Sequence, residues 1–390
     1  MSEEPDSDGR PRSHGGSTTA GAPDPLGFAQ MLLGLVDEGR RTATYKLAVL
    51  LALVDACAAG TDGEGRAAAR ISTRDLARHV TALYWPQVRP HDLAGAPSGV
   101  LRQSTQRRAV IVDAVADLRA AAAARGLTTL DLAERALSAE VERTLDTVEH
   151  VLVTMPLGKL QRPAGWTETS GVHYPRFLYD DSAFSEGVTP RQVRSAALVV
   201  ELRPGVADTL VSLAGLLRPL LELHWTRAVA RLNGTELGED RLREFLFGTS
   251  RVSLQRLQPG LTELQAGQCF YCRRTLRRGA VEVDHVVPWS RVPNDALANL
   301  VLADRRCNGS KRDHPAALSL LERWAERPTA PLQQIADDAE WPLRLPESRA
   351  IARGVYAHLP PGTPVWLEPG VFQLLDRDRL APVLRLLETP

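Results

Sequence analysis

Between Gln268 and Asp313 the chain gathers residues able to hold metal ions and to move a proton. Cys269 and Cys272 stand as C-x-x-C, the spacing at which two thiolates of one turn grip one zinc ion. Asp304 and Cys307 repeat that spacing further on. Asp284-His285 lies between the two pairs, in a run from Ala280 to Val287 whose β-branched residues predict a strand. An imidazole titrates near neutrality and suits a general base. A carboxylate is a hard oxygen ligand of the kind Mg²⁺ or Mn²⁺ takes. These are the parts that phosphodiester hydrolysis needs: an activated water, neutralised phosphate charge and help for the leaving oxygen. Neighbours in a regular strand point to opposite faces, so Asp284 and His285 serve one phosphate only where the strand breaks. Pro288 and the polar loop from Ser290 to Asp295 place that break close by.

Asn308 has a carbonyl oxygen that can complete a metal site, and Asn is equally a favoured helix N-cap. Lys311 and Arg312 lie one turn beyond it on a predicted helix, where they can meet phosphate oxygens or form a solvated face. Zinc accepts carboxylate, but structural sites favour thiolate and imidazole. Three arrangements are therefore open. Asp304 is the fourth ligand, or three cysteines bind with water or His314, or the knuckle holds no metal.

Taken in order, Q-C-F-Y-C, D-H-V-V-P-W-S, N-L and C-N-G-S-K resemble the HNH nuclease family, in its zinc-stapled ββα-metal subgroup. The family pattern is matched throughout except at Asp304, which stands where that pattern has its third cysteine. The resemblance implies a structural Zn²⁺ on Cys269, Cys272, Asp304 and Cys307, and a catalytic Mg²⁺ or Mn²⁺ on Asp284 and Asn308. It implies His285 as the base, Asn299 orienting the loop or the imidazole, and Lys311 and Arg312 on phosphate. Its expected substrate is nucleic acid, DNA ahead of RNA, with restriction or phage defence as the setting. One ββα unit cuts one strand, so a double-strand cut would need a homodimer or a second event. The rival reading is a zinc-ribbon DNA-binding regulator whose nuclease centre is inactive.

A chain of 390 residues is long enough for two or three domains. Its formal net charge is zero, so no global field draws it to a polyanion. From Arg251 to Pro315, however, 11 Lys and Arg face 6 Asp and Glu, a local basic excess that fits a phosphate substrate. Four cysteines, three of them at knuckle positions, point to a reducing compartment. With no visible signal peptide and no apolar run long enough to cross a bilayer, the expectation is a cytoplasmic protein that engages no membrane.

The expected fold is mainly α, with a small α+β nuclease domain of ββα-metal type. Residues 1–25 are Gly, Pro, Ser, Thr and acid, and are expected to be disordered. Residues 26–165 form a helical N-terminal region. There an apolar helix from Ala43 to Ala58 precedes a helix capped by Ser72 and ended by Pro86, a rhythm shared by helix-turn-helix units and plain helical cores. Single helices are predicted from Leu130 to Met155 and from Val206 to Leu232, the second kinked at Pro219. Residues 166–258 read as a helical and mixed linker, loop-like from Trp166 to Phe184. Residues 259–326 form the nuclease domain, with Ala316 to Trp324 continuing its helix. Residues 327–390 form a helical cap with a small hairpin at V-W-L-E-P-G-V-F.

Overall fold

A computed structural model describes residues 24–37, 43–91, 99–106, 108–162, 174, 176–234, 238–248, 254–277 and 279–388. The tail expected to be disordered falls outside these up to residue 23, as does the loop-like stretch from Trp166 to residue 173. The protein is mostly helical, with small two-stranded sheets. The N-terminal part contains α1 (Pro25–Asp37), α2 (Tyr45–Ala59), β1 (Arg70–Ser72), α3 (Thr73–Tyr84), α4 (Val110–Ala123), α5 (Leu130–Ala136), α6 (Ser138–Thr154), α7 (Pro156–Lys159) and α8 (Pro190–Ala196). β2 (Val199–Glu201), α9 (Val206–Ser212), α10 (Ala214–Asn233) and α11 (Glu239–Phe247) follow.

Helix α2 is apolar on nearly every side, so it can be stable only where other helices cover it all round. It is buried from Leu47 through Ala58 and packs against α3, α9 and α10. The Ser72 hydroxyl accepts the Asp75 N–H at 2.9 Å and starts α3. A helix-turn-helix joins its helices by a three- to four-residue turn. Here the whole stretch after Ala59 intervenes, and its last three residues pair antiparallel with β2 as β1. The two predicted long helices are each divided. α5 gives way to α6 at Leu137, which leaves helical geometry, and α9 to α10 at Leu213. Pro219 lies inside α10, where it removes the N–H that would otherwise reach the Gly215 carbonyl.

The second half contains α12 (Gln258–Leu264), β3 (Val281–His285), β4 (Leu300–Asp304), α13 (Arg305–Lys311), α14 (Leu318–Ala325), α15 (Thr329–Asp338) and α16 (Leu345–Ala357). The hairpin β5 (Pro364–Glu368) and β6 (Val371–Leu374) and then α17 (Arg377–Leu386) complete it. α13 stops at Arg312, whose φ of 48° no right-handed helix tolerates, so α14 is a separate helix instead of a continuation.

β3 and β4 pair antiparallel, with Asp284 opposite Val301 and His285 opposite Leu300. β4 is buried on both faces. Leu300 and Leu302 enter a small core with Leu257, Leu261, Leu297 and Trp341, while Val301 and Ala303 join the main core beside Cys269. That main core runs without interruption from α1 through β4 and α13 to α17.

Arg218 on α10 is 1% exposed and ties the two halves together. Its guanidinium pairs with Asp55 of α2 and with Glu222, and its Nε donates to the Arg291 carbonyl at 3.2 Å. Removing one partner of a buried ion pair leaves an uncompensated charge. Arg218→Ala is therefore expected to lower stability by about 3 kcal/mol, read as a fall in the unfolding temperature.

Candidate nuclease site

The cysteine knuckle is made by a tight reversal. Arg273 adopts a left-handed conformation, its N–H reaching the Cys269 carbonyl at 3.0 Å, while the Cys269 N–H donates to the Arg274 carbonyl at 2.9 Å. Cys307 comes from α13. The three sulfurs lie within 4.8 Å of one another, two of the residues being buried. Burial works to raise the Cys272 thiol, but the Arg274 N–H and the Cys269 and Cys307 thiols outweigh it and bring it below its ordinary value. Burial pushes the Cys307 thiol up. Three sulfurs so close cannot all be thiolates unless a cation sits among them, so the donor set fits a metal ion.

Asp304 does not join them. Its carboxylate caps α13 by accepting the Arg306 N–H at 2.8 Å, and only its backbone reaches the cluster, donating to Cys269 Sγ at 3.3 Å. The first residue of a helix after a strand leaves N–H groups unsatisfied, and a carboxylate there serves them first. His314 is exposed and packs edge-on against Phe372 instead.

Strand alternation separates the other candidates. Glu282 and Asp284 project from β3 toward α13, whereas Val281, Val283 and His285 belong to the opposite face. Asp284 is buried: its Oδ2 accepts the Tyr271 hydroxyl and pairs with Lys311 Nζ at 3.2 Å. Asn308 faces Glu282, its Nδ2 donating to Oε2 at 2.7 Å, and Arg305 holds the other Glu282 oxygen at 3.2 Å. A cation between them would call for the Asn308 carbonyl in place of its amide N–H. His285, on the far face, places Nε2 2.7 Å from Asp295 Oδ1, and Trp289 packs against its ring at 5.3 Å. β3 stays in register through His285, so the expected break comes just after the pair and not between its members. No hydrogen bond or ion pair joins the side chains of Asp284, His285 and Asn308 to one another among the described residues.

Asn299 is fully buried and acts on the loop. Its Oδ1 accepts the Val287 N–H at 2.9 Å, and its Nδ2 donates to the Val287 and Asn294 carbonyls at 3.2 and 3.0 Å. Lys311 corrects a sequence expectation: it is 0% exposed, so it does not face solvent where phosphate would lie. Its Nζ donates to the His285 carbonyl at 2.7 Å, beneath the Tyr271 ring. Arg312 is exposed and keeps the reach its position suggests. Two neighbours escaped the sequence reading. Glu282 could have been found from the two-residue period it shares with Asp284. Asp295 carried no spacing signal, because its approach to His285 depends on how the loop folds back.

Comparison with known proteins finds two matching families. A family described as an HNH endonuclease matches residues 269–317, so this segment is an HNH endonuclease domain. A family described as a domain of unknown function, DUF8808, matches residues 27–246, more than half of the chain. The chain belongs to the DUF8808 family. No curated protein and no solved structure matches it.

The DUF8808 region and the HNH domain meet at a cleft of about 520 Å³. Arg78, His79 and Glu222 line it from the DUF8808 side, and Trp289, Val292 and Pro293 from the HNH loop. Trp289 thus contacts both His285 and the cleft. No helix among the described residues is long and apolar enough to cross a membrane.

If the three sulfurs form the metal site, Cys269→Ser or Cys307→Ser removes a bound ion that elemental analysis finds in the parent protein. Asp304→Ala retains that ion and loses about 1 kcal/mol of stability through the missing cap, measurable by chemical unfolding.

Proposed function

We propose that the protein is a metal-dependent endonuclease that hydrolyses phosphodiester bonds of nucleic acid, DNA ahead of RNA. The observation that carries this reading is an HNH endonuclease domain in which one strand bears hard-oxygen donors on one face and an imidazole at its end. Zinc is the ion proposed for the three sulfurs, which are its preferred ligands. Mg²⁺ or Mn²⁺ is proposed for Asp284 and Asn308, with Glu282 beside them; these are the oxygens such ions take. Lys311 pairs with Asp284 and Arg305 with Glu282, so a divalent cation bound here would take the place of at least one of these side-chain cations. A bound divalent ion would neutralise phosphate charge and polarise the phosphorus centre.

The protein's own groups do the rest. His285 takes the proton of the attacking water. Asn299 fixes the loop that follows His285, and Arg312 meets a flanking phosphate. Among the described residues β3 pairs with a strand on one side, so a substrate lying along its other edge would run between the groups of its two faces. A role in restriction or phage defence follows from family association alone, and a homodimer would supply a second cut. The second reading, a DNA-binding regulator with a silent centre, is favoured by one observation: the Lys311 ammonium already occupies Asp284 Oδ2.

Incubation of supercoiled plasmid with the protein and Mn²⁺ or Mg²⁺ is expected to give nicked or linear DNA, and EDTA to abolish it. His285→Ala should retain DNA binding and lose cleavage by at least about 100-fold. Wild-type protein that binds plasmid but leaves it intact with every divalent ion supports the silent-centre reading instead. Preferential loss of an RNA substrate in a parallel reaction would change the substrate class. Arg312→Ala should weaken binding evenly across sequences and reduce the salt slope by about 1. Lys311→Met should instead lower the unfolding temperature.

A further inference from the structure

We infer that Asp295 is a positioning residue for His285, and that the segment beyond the HNH match holds Asp295 in place. This rests on the reading of His285 as the base. A carboxylate only accepts hydrogen bonds, so the 2.7 Å contact from His285 Nε2 to Asp295 Oδ1 assigns the ring proton to Nε2. In a neutral imidazole the lone pair then lies on Nδ1, the nitrogen left to accept a proton. Trp289 restricts rotation of the ring from its side. His285 and Asp295 sit ten residues apart on the chain, and the loop between them is folded back partly by Asn299, which bonds Val287 and Asn294.

The loop around Asp295 is clamped from several directions. The Trp341 indole N–H donates to the Asp295 carbonyl at 2.7 Å, and the buried Asn299 amide to the preceding carbonyl, of Asn294, at 3.0 Å. Asn294 reaches both ways: its Nδ2 donates to the buried Ser348 hydroxyl at 3.0 Å, and its Oδ1 accepts the Ala296 N–H at 3.0 Å. The Pro342 and Leu343 carbonyls accept the Leu297 and Ala298 N–H groups at 2.8 and 3.2 Å. Trp341, Pro342, Leu343 and Ser348 all lie after residue 317, where the HNH match ends. An exposed surface ion pair has no such framework. A catalytic orienting group requires one, because its effect depends on holding the ring within a narrow range of angles.

The test uses the full-length protein labelled with ¹⁵N. Two-bond ¹H–¹⁵N correlations report the tautomer of each histidine, and His285→Ala identifies the signal of His285. The wild type is expected to show the Nε2–H tautomer. Asp295→Ala should give a mixture of tautomers and lower kcat for plasmid cleavage by about 100-fold, with KM changed by less than about twofold. Asp295→Asn, which preserves shape and can either accept or donate, serves as a second variant should the alanine protein fail to fold. It too should disturb the tautomer and lower kcat. Trp341→Phe, which removes the indole N–H, should reduce kcat more mildly. A wild-type His285 carrying its proton on Nδ1, or Asp295 variants with unchanged tautomer or unchanged kcat, would overturn the proposal. Full cleavage by His285→Ala overturns the reading of His285 as base, and this proposal with it. Loss of cleavage in His285→Ala beside fully active Asp295 variants overturns the positioning role alone.

Discussion

A lysine ammonium with no exposure to solvent sits beneath β3, and the nuclease elements are arranged around it. Burying an unpaired ammonium costs several kcal/mol, so Lys311 requires every acceptor it has. It finds the His285 carbonyl, the Asp284 carboxylate and the face of the Tyr271 ring. These belong to the strand β3 and to the cysteine knuckle, while Lys311 itself ends α13. One side chain thus registers three elements, and none can shift without uncovering a charge. Trp366 of the C-terminal hairpin closes the arrangement from behind, edge-on to Tyr271 and donating to the Ser310 hydroxyl.

Two further devices keep the strands where this interaction needs them. The three sulfurs draw the start of α13 to the knuckle on one side. On the other, α14 and the turn that follows it supply donors to open carbonyls of the knuckle and of the entry to β4. Arg323 donates to the Phe270 and Tyr271 carbonyls, the Trp324 indole to the Ala298 carbonyl, and Arg327 to those of Ala298 and Leu300. Burial pulls the Arg327 guanidinium down to about 9, still charged at neutral pH. A two-stranded sheet is marginal alone. Here β4 has a core on each face and the Arg327 guanidinium on its first carbonyl, which braces so short a ββα unit.

What could be read from the sequence divides along physical lines. Groups acting on neighbours within a few residues were legible: the Ser72 cap, the C-x-x-C turn, the β3 strand and the hairpin near Trp366 all depend on local geometry. The HNH segment was legible too, because several short motifs occur in order. Competition between partners was not. Asp304 can bind metal or cap a helix, and no spacing tells which wins; the unsatisfied N–H groups of α13 are nearer. Lys311 looks like a surface cation until the fold places an aromatic ring and a carboxylate over it. The breaks at Leu137 and Leu213 fall in runs with good helix propensity, where tertiary packing overrides the local preference. The tight turn of a helix-turn-helix fails because Arg70–Ser72 finds a strand partner more than a hundred residues away.

The HNH match covers 49 residues, yet the contacts that shape its loop come from well outside it. From the DUF8808 region Arg218 donates to the Arg291 carbonyl while pairing with Asp55 and Glu222, the latter shared with Arg243. From beyond the match Trp341 and Ser348 grip Asp295 and Asn294. The loop between β3 and β4 is therefore held at its two ends by the HNH segment and in its middle by both flanking regions. Arg218 thus links the DUF8808 helices to the loop at Arg291 while it is held by its own anions. From Arg291 it is a short step along the backbone to Trp289 and, through its ring, to His285. If His285 is the base, its orientation is then a property of the whole chain. An isolated HNH segment would keep the motif and lose the frame that aims it.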